Sequence, residues 1–98
     1  MATLSTHVLD TSLGRPAAGV PLALLDQAGE VIAEAETDVD GRVGRLGGVL
    51  AGGTYRIRFD IEGPFYPEVV VTFRITGDEH HHVPLLLSPY GYSTYRGS

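Results

Sequence analysis

Cysteine is absent from the 98 residues of this chain. Its absence excludes disulfide cross-links, thiolate nucleophiles and Cys-ligated zinc, and leaves the redox compartment open. Positive charge is scarce: Lys and Arg number 7 against 12 Asp and Glu, a net charge of -5 at pH 7. Such a chain repels a phosphate backbone, which sets nucleic acid aside as a partner. Long apolar runs are missing too. The longest near the end, Val83 to Leu87, falls far short of the roughly 20 residues that a membrane-crossing helix needs. Met1 is followed by Ala-Thr-Leu-Ser-Thr, with neither a basic nor an apolar stretch. The reading is a soluble, cytoplasmic protein without a membrane partner. No amphipathic helical stripe, repeat, low-complexity tract or linker interrupts the sequence, so one domain over residues 1–98 is expected.

What the chain does contain is the alternation of strands. Val20, Leu22 and Leu24, then Val31, Ala33 and Ala35, flank the turn Asp26-Gln27-Ala28-Gly29 and read as a hairpin. Asp40-Gly41 marks a second tight reversal, because glycine supplies the positive φ it needs. Tyr55, Ile57 and Phe59 alternate with Arg56, Arg58 and Asp60, a half-buried strand. Val69, Val71 and Phe73 alternate with Val70, Thr72 and Arg74, so both faces are expected to be partly covered there. Thr3 to Asp10, Glu79 to Leu87 and Tyr92 to Tyr95 complete the set. Seven to eight short strands separated by turn signals predict an all-β, two-sheet β-sandwich. A chain this small has a thin margin of stability, which oligomerisation would widen.

The candidate chemistry lies in the histidines His7, His80, His81 and His82. His80 and His82 share one face of a strand, and His81 points to the other. Three readings stay open for them: a solvated strand start, a three-histidine zinc site with His7, or general acid–base work by neutral imidazole. Arg42 follows the Asp-Gly turn, where an arginine is ordinarily just exposed. Thr37, Asp38 and Gly41 read as fold residues of that turn. The ending Ser88-Pro-Tyr-Gly-Tyr-Ser-Thr-Tyr-Arg-Gly-Ser98 is unusual, since chain ends are usually frayed and polar. Tyr92, Tyr95 and Arg96 in that ending point to a tail that is packed into something or helps make a site.

Four stretches in order carry a family resemblance. Leu4-Ser-Thr-His-Val-Leu-Asp-Thr11, with Gly14 and Pro16 after it, resembles the opening signature of the 5-hydroxyisourate hydrolases. Asp38-Val-Asp-Gly-Arg42 resembles their second motif, and His80-His-His-Val-Pro-Leu-Leu-Leu-Ser-Pro89 their third. Tyr95-Arg96-Gly97-Ser98 is similar to the tetrapeptide that separates these enzymes from transthyretin, the hormone carrier of the same fold. The resemblance implies a transthyretin-like (prealbumin-like) Greek-key sandwich of two four-stranded sheets. It also implies a homotetramer, a dimer of dimers, with sites along a channel where dimers meet. The implied reaction is opening of the lactam ring of 5-hydroxyisourate to 2-oxo-4-hydroxy-4-carboxy-5-ureidoimidazoline in urate catabolism, with no metal and no organic cofactor.

Carried over position by position, the catalytic set is His7, Arg42, His82 and Tyr95. The substrate-binding set is His7, Arg42, Tyr95, Arg96, Gly97 and Ser98. The alternative reading is a transthyretin-like small-ligand carrier; the resemblance implies that the carriers hold other side chains at His7, Arg42, His82 and Tyr95, so the set present here is that of the enzymes. The two histidines share the acid–base work with the base unassigned between them, and Arg42 holds substrate anion or oxyanion. Tyr95 donates a hydrogen bond to substrate or orients an imidazole, Arg96 either does the same or pins the terminus, and the Ser98 carboxylate fixes a neighbouring cation. The chain departs from the family in two places. Ile61 to Glu68 is shorter than the usual stretch there, so its short helix is expected to be missing, with Pro64 and Pro67 stiffening a turn. His81 stands where tyrosine is common and, facing away from His82, is expected to be neutral for catalysis.

Overall fold

The computed structural model describes residues 1–98. Its nine strands are β1 (Thr3–Asp10), β2 (Arg15–Pro16), β3 (Pro21–Leu25), β4 (Val31–Glu36), β5 (Arg42–Val43), β6 (Gly53–Asp60), β7 (Glu68–Ile75), β8 (His80–Ser88) and β9 (Gly91–Thr94). One sheet runs β2-β1-β8-β9 with β5 also on β1, and the other runs β4-β3-β6-β7. The expected pair of four-stranded sheets becomes one of five strands and one of four. The additional short pieces, β2 and β5, hold two residues each, too few for period-two alternation to reveal. The chain forms no helix, and Ile61 to Pro67 contains none. That segment closes on itself instead, with Ile61 and Glu62 N–H donating to the Pro67 carbonyl and Gly63 N–H to that of Tyr66.

Alternation builds the core. Leu4 and Val8 of β1, Leu22 and Leu24 of β3, Ile57 and Phe59 of β6, Val69 and Val71 of β7, and Val83 and Leu85 of β8 point between the sheets. Phe59, fully buried, is worth about 1.5–3 kcal/mol relative to an exposed ring. Thr6 also faces inward, and its hydroxyl donates to the Val83 carbonyl at 2.6 Å, so the buried oxygen is satisfied. In β7 the expectation of two covered faces gives way to one. Val69, Val71 and Ile75 are buried, while Val70 is exposed within this chain.

Two features of the topology position the site. β1 pairs with β8 in parallel, with Thr3 opposite His80, Ser5 opposite His82 and His7 opposite Pro84. β1 also pairs with β5 antiparallel, with His7 opposite Arg42. Residues far apart in sequence therefore line one outer sheet face. On the other side of the sandwich, β7 and β9 are unpaired edges. Tyr66 packs edge-on to Tyr92 of β9 with centroids 5.3 Å apart.

Candidate active site

His80 and His82 point outward from β8 because their neighbours His81 and Val83 point inward. On the same face of β1 stand Thr3, Ser5 and His7. His82 Nδ1 lies 2.7 Å from Ser5 Oγ, and the same oxygen lies 2.8 Å from His80 Nε2. His80 Nδ1 in turn lies 2.6 Å from Thr3 Oγ1. The His82 ring is thus held by one nitrogen, and its Nε2 has no partner within the chain. Partial burial, first of all, and then the Arg42 guanidinium and the neighbouring His7 and His80 rings push the His82 imidazole below its usual range; hydrogen bonding to the Ser5 backbone pulls the other way. A neutral ring with an open nitrogen is what a general base requires near pH 7.

His7 is fixed differently. Its Nε2 lies 2.9 Å from the Asp40 carbonyl oxygen. A carbonyl can only accept, so His7 carries a proton on Nε2 and turns Nδ1 elsewhere. His7 and His82 are diagonal neighbours across the parallel pair β1 and β8, two positions apart along the same face. Arg42 is delivered by the turn before β5. The Asp38 carboxylate accepts from the N–H groups of Asp40 and Arg42, at 2.9 and 3.0 Å. Gly41 takes φ 73°, and a Cβ there would lie 2.4 Å from the Val8 carbonyl oxygen. Thr37 is buried, accepting from Val20 N–H and donating to the Ala17 carbonyl. Thr37, Asp38 and Gly41 therefore shape the backbone that presents Arg42.

The tail closes over His82. Gly97 N–H donates to the His82 carbonyl at 2.8 Å, and a Cβ on Gly97 would stand 2.5 Å from His82 Cδ2. Only a glycine lets the tail lie this close to the ring edge that carries Nε2. Arg96 forms an ion pair with Glu79 at 2.6 Å, which lowers the Glu79 carboxyl below its ordinary value. The pair joins the tail to the residue that precedes β8. Tyr95 is exposed and, with Thr94 and Arg96, borders a groove against Val71, Phe73, Arg74 and His81 at the open sandwich edge. Within one chain, His7, Arg42, His82 and Gly97 come together, and Tyr95 stands apart from them.

The run of three histidines divides by environment. His80 is exposed, His82 is half-buried, and His81 lies inside at 3% exposure. His81 Nδ1–H donates to the Glu79 carbonyl at 3.0 Å, and Nε2 accepts the Thr76 N–H at 3.4 Å. No three His, Asp or Glu side chains take up metal-ligand geometry. Replacing His81 by Ala is expected to cost about 1–3 kcal/mol of stability, from the cavity and the orphaned backbone groups, while kcat holds. Thermal melting beside a rate assay checks this; a lost kcat with an unchanged melt would put His81 in the site. Sequence reasoning passed over Thr3 and Ser5. The available signal was their period-two phase with His7, but the β1–β8 pairing that gives it meaning is not visible in one strand.

A sandwich with its polar site on an outer sheet face, capped by the C-terminal segment, defines a transthyretin-type fold carrying an imidazole–guanidinium centre. The HIUase/Transthyretin family model matches residues 4–97, and the chain belongs to that family. A 5-hydroxyisourate hydrolase of Caulobacter vibrioides is 45% identical, with 100% of both chains covered. The solved structure of Klebsiella pneumoniae 5-hydroxyisourate hydrolase superposes with a TM-score of 0.90 at 35% identity, over 98% of this chain and 99% of that one. Sea bream transthyretin in complex with thyroxine superposes at 0.85 with 28% identity, over 96% and 93%.

Proposed function

We propose that this chain hydrolyses 5-hydroxyisourate, opening its lactam ring to 2-oxo-4-hydroxy-4-carboxy-5-ureidoimidazoline in urate degradation, and that residues 1–98 act as one hydrolase domain. The observation that carries the reading is the open Nε2 of a neutral His82, held beside His7 and Arg42. The full-length kinship to a hydrolase supports it. His82 Nε2 takes a proton from water as the oxygen attacks the lactam carbonyl. The Arg42 guanidinium stabilises the oxyanion with its planar fork of N–H donors. His82 then returns the proton to the leaving nitrogen, and the C–N bond breaks. His7 offers Nδ1 to the substrate, and its tautomer is locked by Asp40. Gly97 and Ser98 form the wall over His82. Tyr95 completes the site from the sandwich edge, as part of the assembled channel. The positive side chains around His82 draw an anion to a protein of net charge -5.

The test is the ultraviolet decay of freshly generated 5-hydroxyisourate with and without the protein. Acceleration by catalytic amounts is expected. Spontaneous decay unchanged by the protein, together with stoichiometric binding of an aromatic ligand, would give the carrier reading instead.

The working unit in this proposal is a homotetramer, a dimer of dimers. Supporting it, β7 and β9 leave two unpaired edges with Val70 and Tyr92 exposed, and Gly91–Thr94 carries no charge to block pairing. Leu85 lies away from these edges, in the middle of its sheet between β1 and β9. Light scattering should return about four times 10.5 kDa. A fully active monomer at assay concentration would end the idea of a shared channel.

A further inference from the structure

Behind His82 runs a row of hydrogen-bonding side chains that the hydrolysis just described does not use. From the site outward it is His82 Nδ1, Ser5 Oγ at 2.7 Å, His80 Nε2 at 2.8 Å from that oxygen, and Thr3 Oγ1 at 2.6 Å from His80 Nδ1. The parallel register sets Thr3 against His80 and Ser5 against His82, so the row is built from paired positions of β1 and β8. Ser5 is 9% exposed, whereas His80 opens to solvent. The row thus leads from a partly buried ring to water.

We propose that Ser5 and His80 form a proton relay behind His82, which moves the positive charge of the catalytic step away from Arg42. The proposal rests on reading His82 as the base. In the resting arrangement His82 Nδ1–H donates to Ser5 Oγ, Ser5 O–H donates to His80 Nε2, and His80 Nδ1–H donates to Thr3 Oγ1. This direction leaves the lone pair of His82 on Nε2, facing the attacking water. When Nε2 gains the water proton, the Nδ1 proton passes to Ser5 and the Ser5 proton passes to His80 Nε2. His82 is neutral again, now with its proton on Nε2, and His80 is an imidazolium. As His82 gives Nε2–H to the leaving nitrogen, the row runs backwards and His80 returns to neutral. No proton is created or lost.

The physical gain is electrostatic. Without the relay, an imidazolium forms at His82 beside the Arg42 guanidinium of β5 and His7 of β1. Ser5 of β1 and Gly97 of the tail, which also lie against the ring, bring no charge, and His80 stands one side chain further out, beyond Ser5. Two like charges at close range in a partly dry site repel strongly, and separation by one more side chain reduces this. Hydrogen-bonded rows of this kind also gain strength by mutual polarisation. Ser5 and His80 touch neither substrate nor reacting atoms and are positioning residues.

The test uses the full chain with Ser5→Ala and His80→Gln. Both are expected to lower kcat about 10- to 100-fold with KM little changed, since the loss falls on the transition state. Rates in mixtures of light and heavy water should curve for the wild type, as more than one proton is in flight, and become linear in both variants. Added imidazole should restore part of kcat to His80→Gly. Nitrogen-15 NMR of the wild-type imidazoles provides a readout independent of turnover: at neutral pH, protons on Nδ1 of both His82 and His80. A proton on His82 Nε2 at rest overturns the relay, and so do variants with wild-type kcat and unchanged isotope curves. Failure of the wild type to open 5-hydroxyisourate would instead strike the functional reading, while the NMR still decides the hydrogen-bond direction. Should His80→Gln fold poorly, Ser5→Ala and the NMR remain decisive.

Discussion

Stopping the chain after Thr94 is expected to abolish hydrolysis while the melting temperature shifts by only a few degrees. The removed residues contribute little to the core: Tyr95, Arg96 and Ser98 are exposed or half-exposed, and none belongs to the buried cluster. The Arg96–Glu79 ion pair lies in solvent, where such pairs add little. One backbone hydrogen bond to His82 is lost. The site loses far more. Gly97 stands against the edge of the His82 ring, and without it that ring faces water and is held only through Ser5. Water competing for Nε2 and for the oxyanion weakens both interactions. Loss of positioning alone can cost about 10²-fold for an error of 1 Å. Gly97→Ala should reproduce much of the defect, because the added methyl displaces either the tail or the ring. The measurements are kcat and a thermal melt on each variant. A truncated protein that turns over at the normal rate removes the tail from the site.

Much of this architecture could be read from one sequence, and the failures share a cause. Period-two alternation located β1, β3, β4, β6, β7 and β8 to within a residue or two, because each buries one face and that pattern is local. The Asp38–Gly41 turn was legible for the same reason: an Asx acceptor and a positive-φ glycine act over four residues. β2 and β5 were not, since two residues cannot alternate. The split among the three histidines was half legible. Strand phase separates His81 from His80 and His82, but only the parallel partner β1 shows that Ser5 joins the latter two. Long-range register carries that information, and a single chain read by itself does not contain it. The separation of Tyr95 from His82 is a similar case. A tail of four residues has no periodicity, and its backbone is held at His82, where Gly97 packs on the ring and donates to the carbonyl.

Replacing His82 by Ala, or Arg42 by Lys, is expected to lower kcat by two or more decades in a protein that folds normally. For His82 the reason is loss of the base. General acid–base catalysis contributes roughly 10²- to 10⁴-fold, and in the mechanism proposed above neither of the other outward imidazoles meets the attacking water. His7, its Nε2 proton tied to the Asp40 carbonyl, gives its Nδ1 to the substrate, and the His80 ring lies behind Ser5. For Arg42 the reason is geometry. Lysine keeps the charge but not the planar fork, so it cannot hold two oxygens at once and stabilises the oxyanion less. Folding should persist because Arg42 is exposed and His82 belongs to the outer face, away from the cluster around Phe59. The pH profile adds a sign. His82 is held below the usual imidazole value of 6.5. Its neutral form therefore survives to more acid pH, and the acid limb of kcat/KM should lie below that value. Arg42→Gln removes one of the charges that depress His82, so in that variant the residual activity should show its acid limb at higher pH. An unmoved limb would mean that another group limits the rate in acid. His82→Ala with near-wild-type kcat would take the base assignment away from β8 altogether.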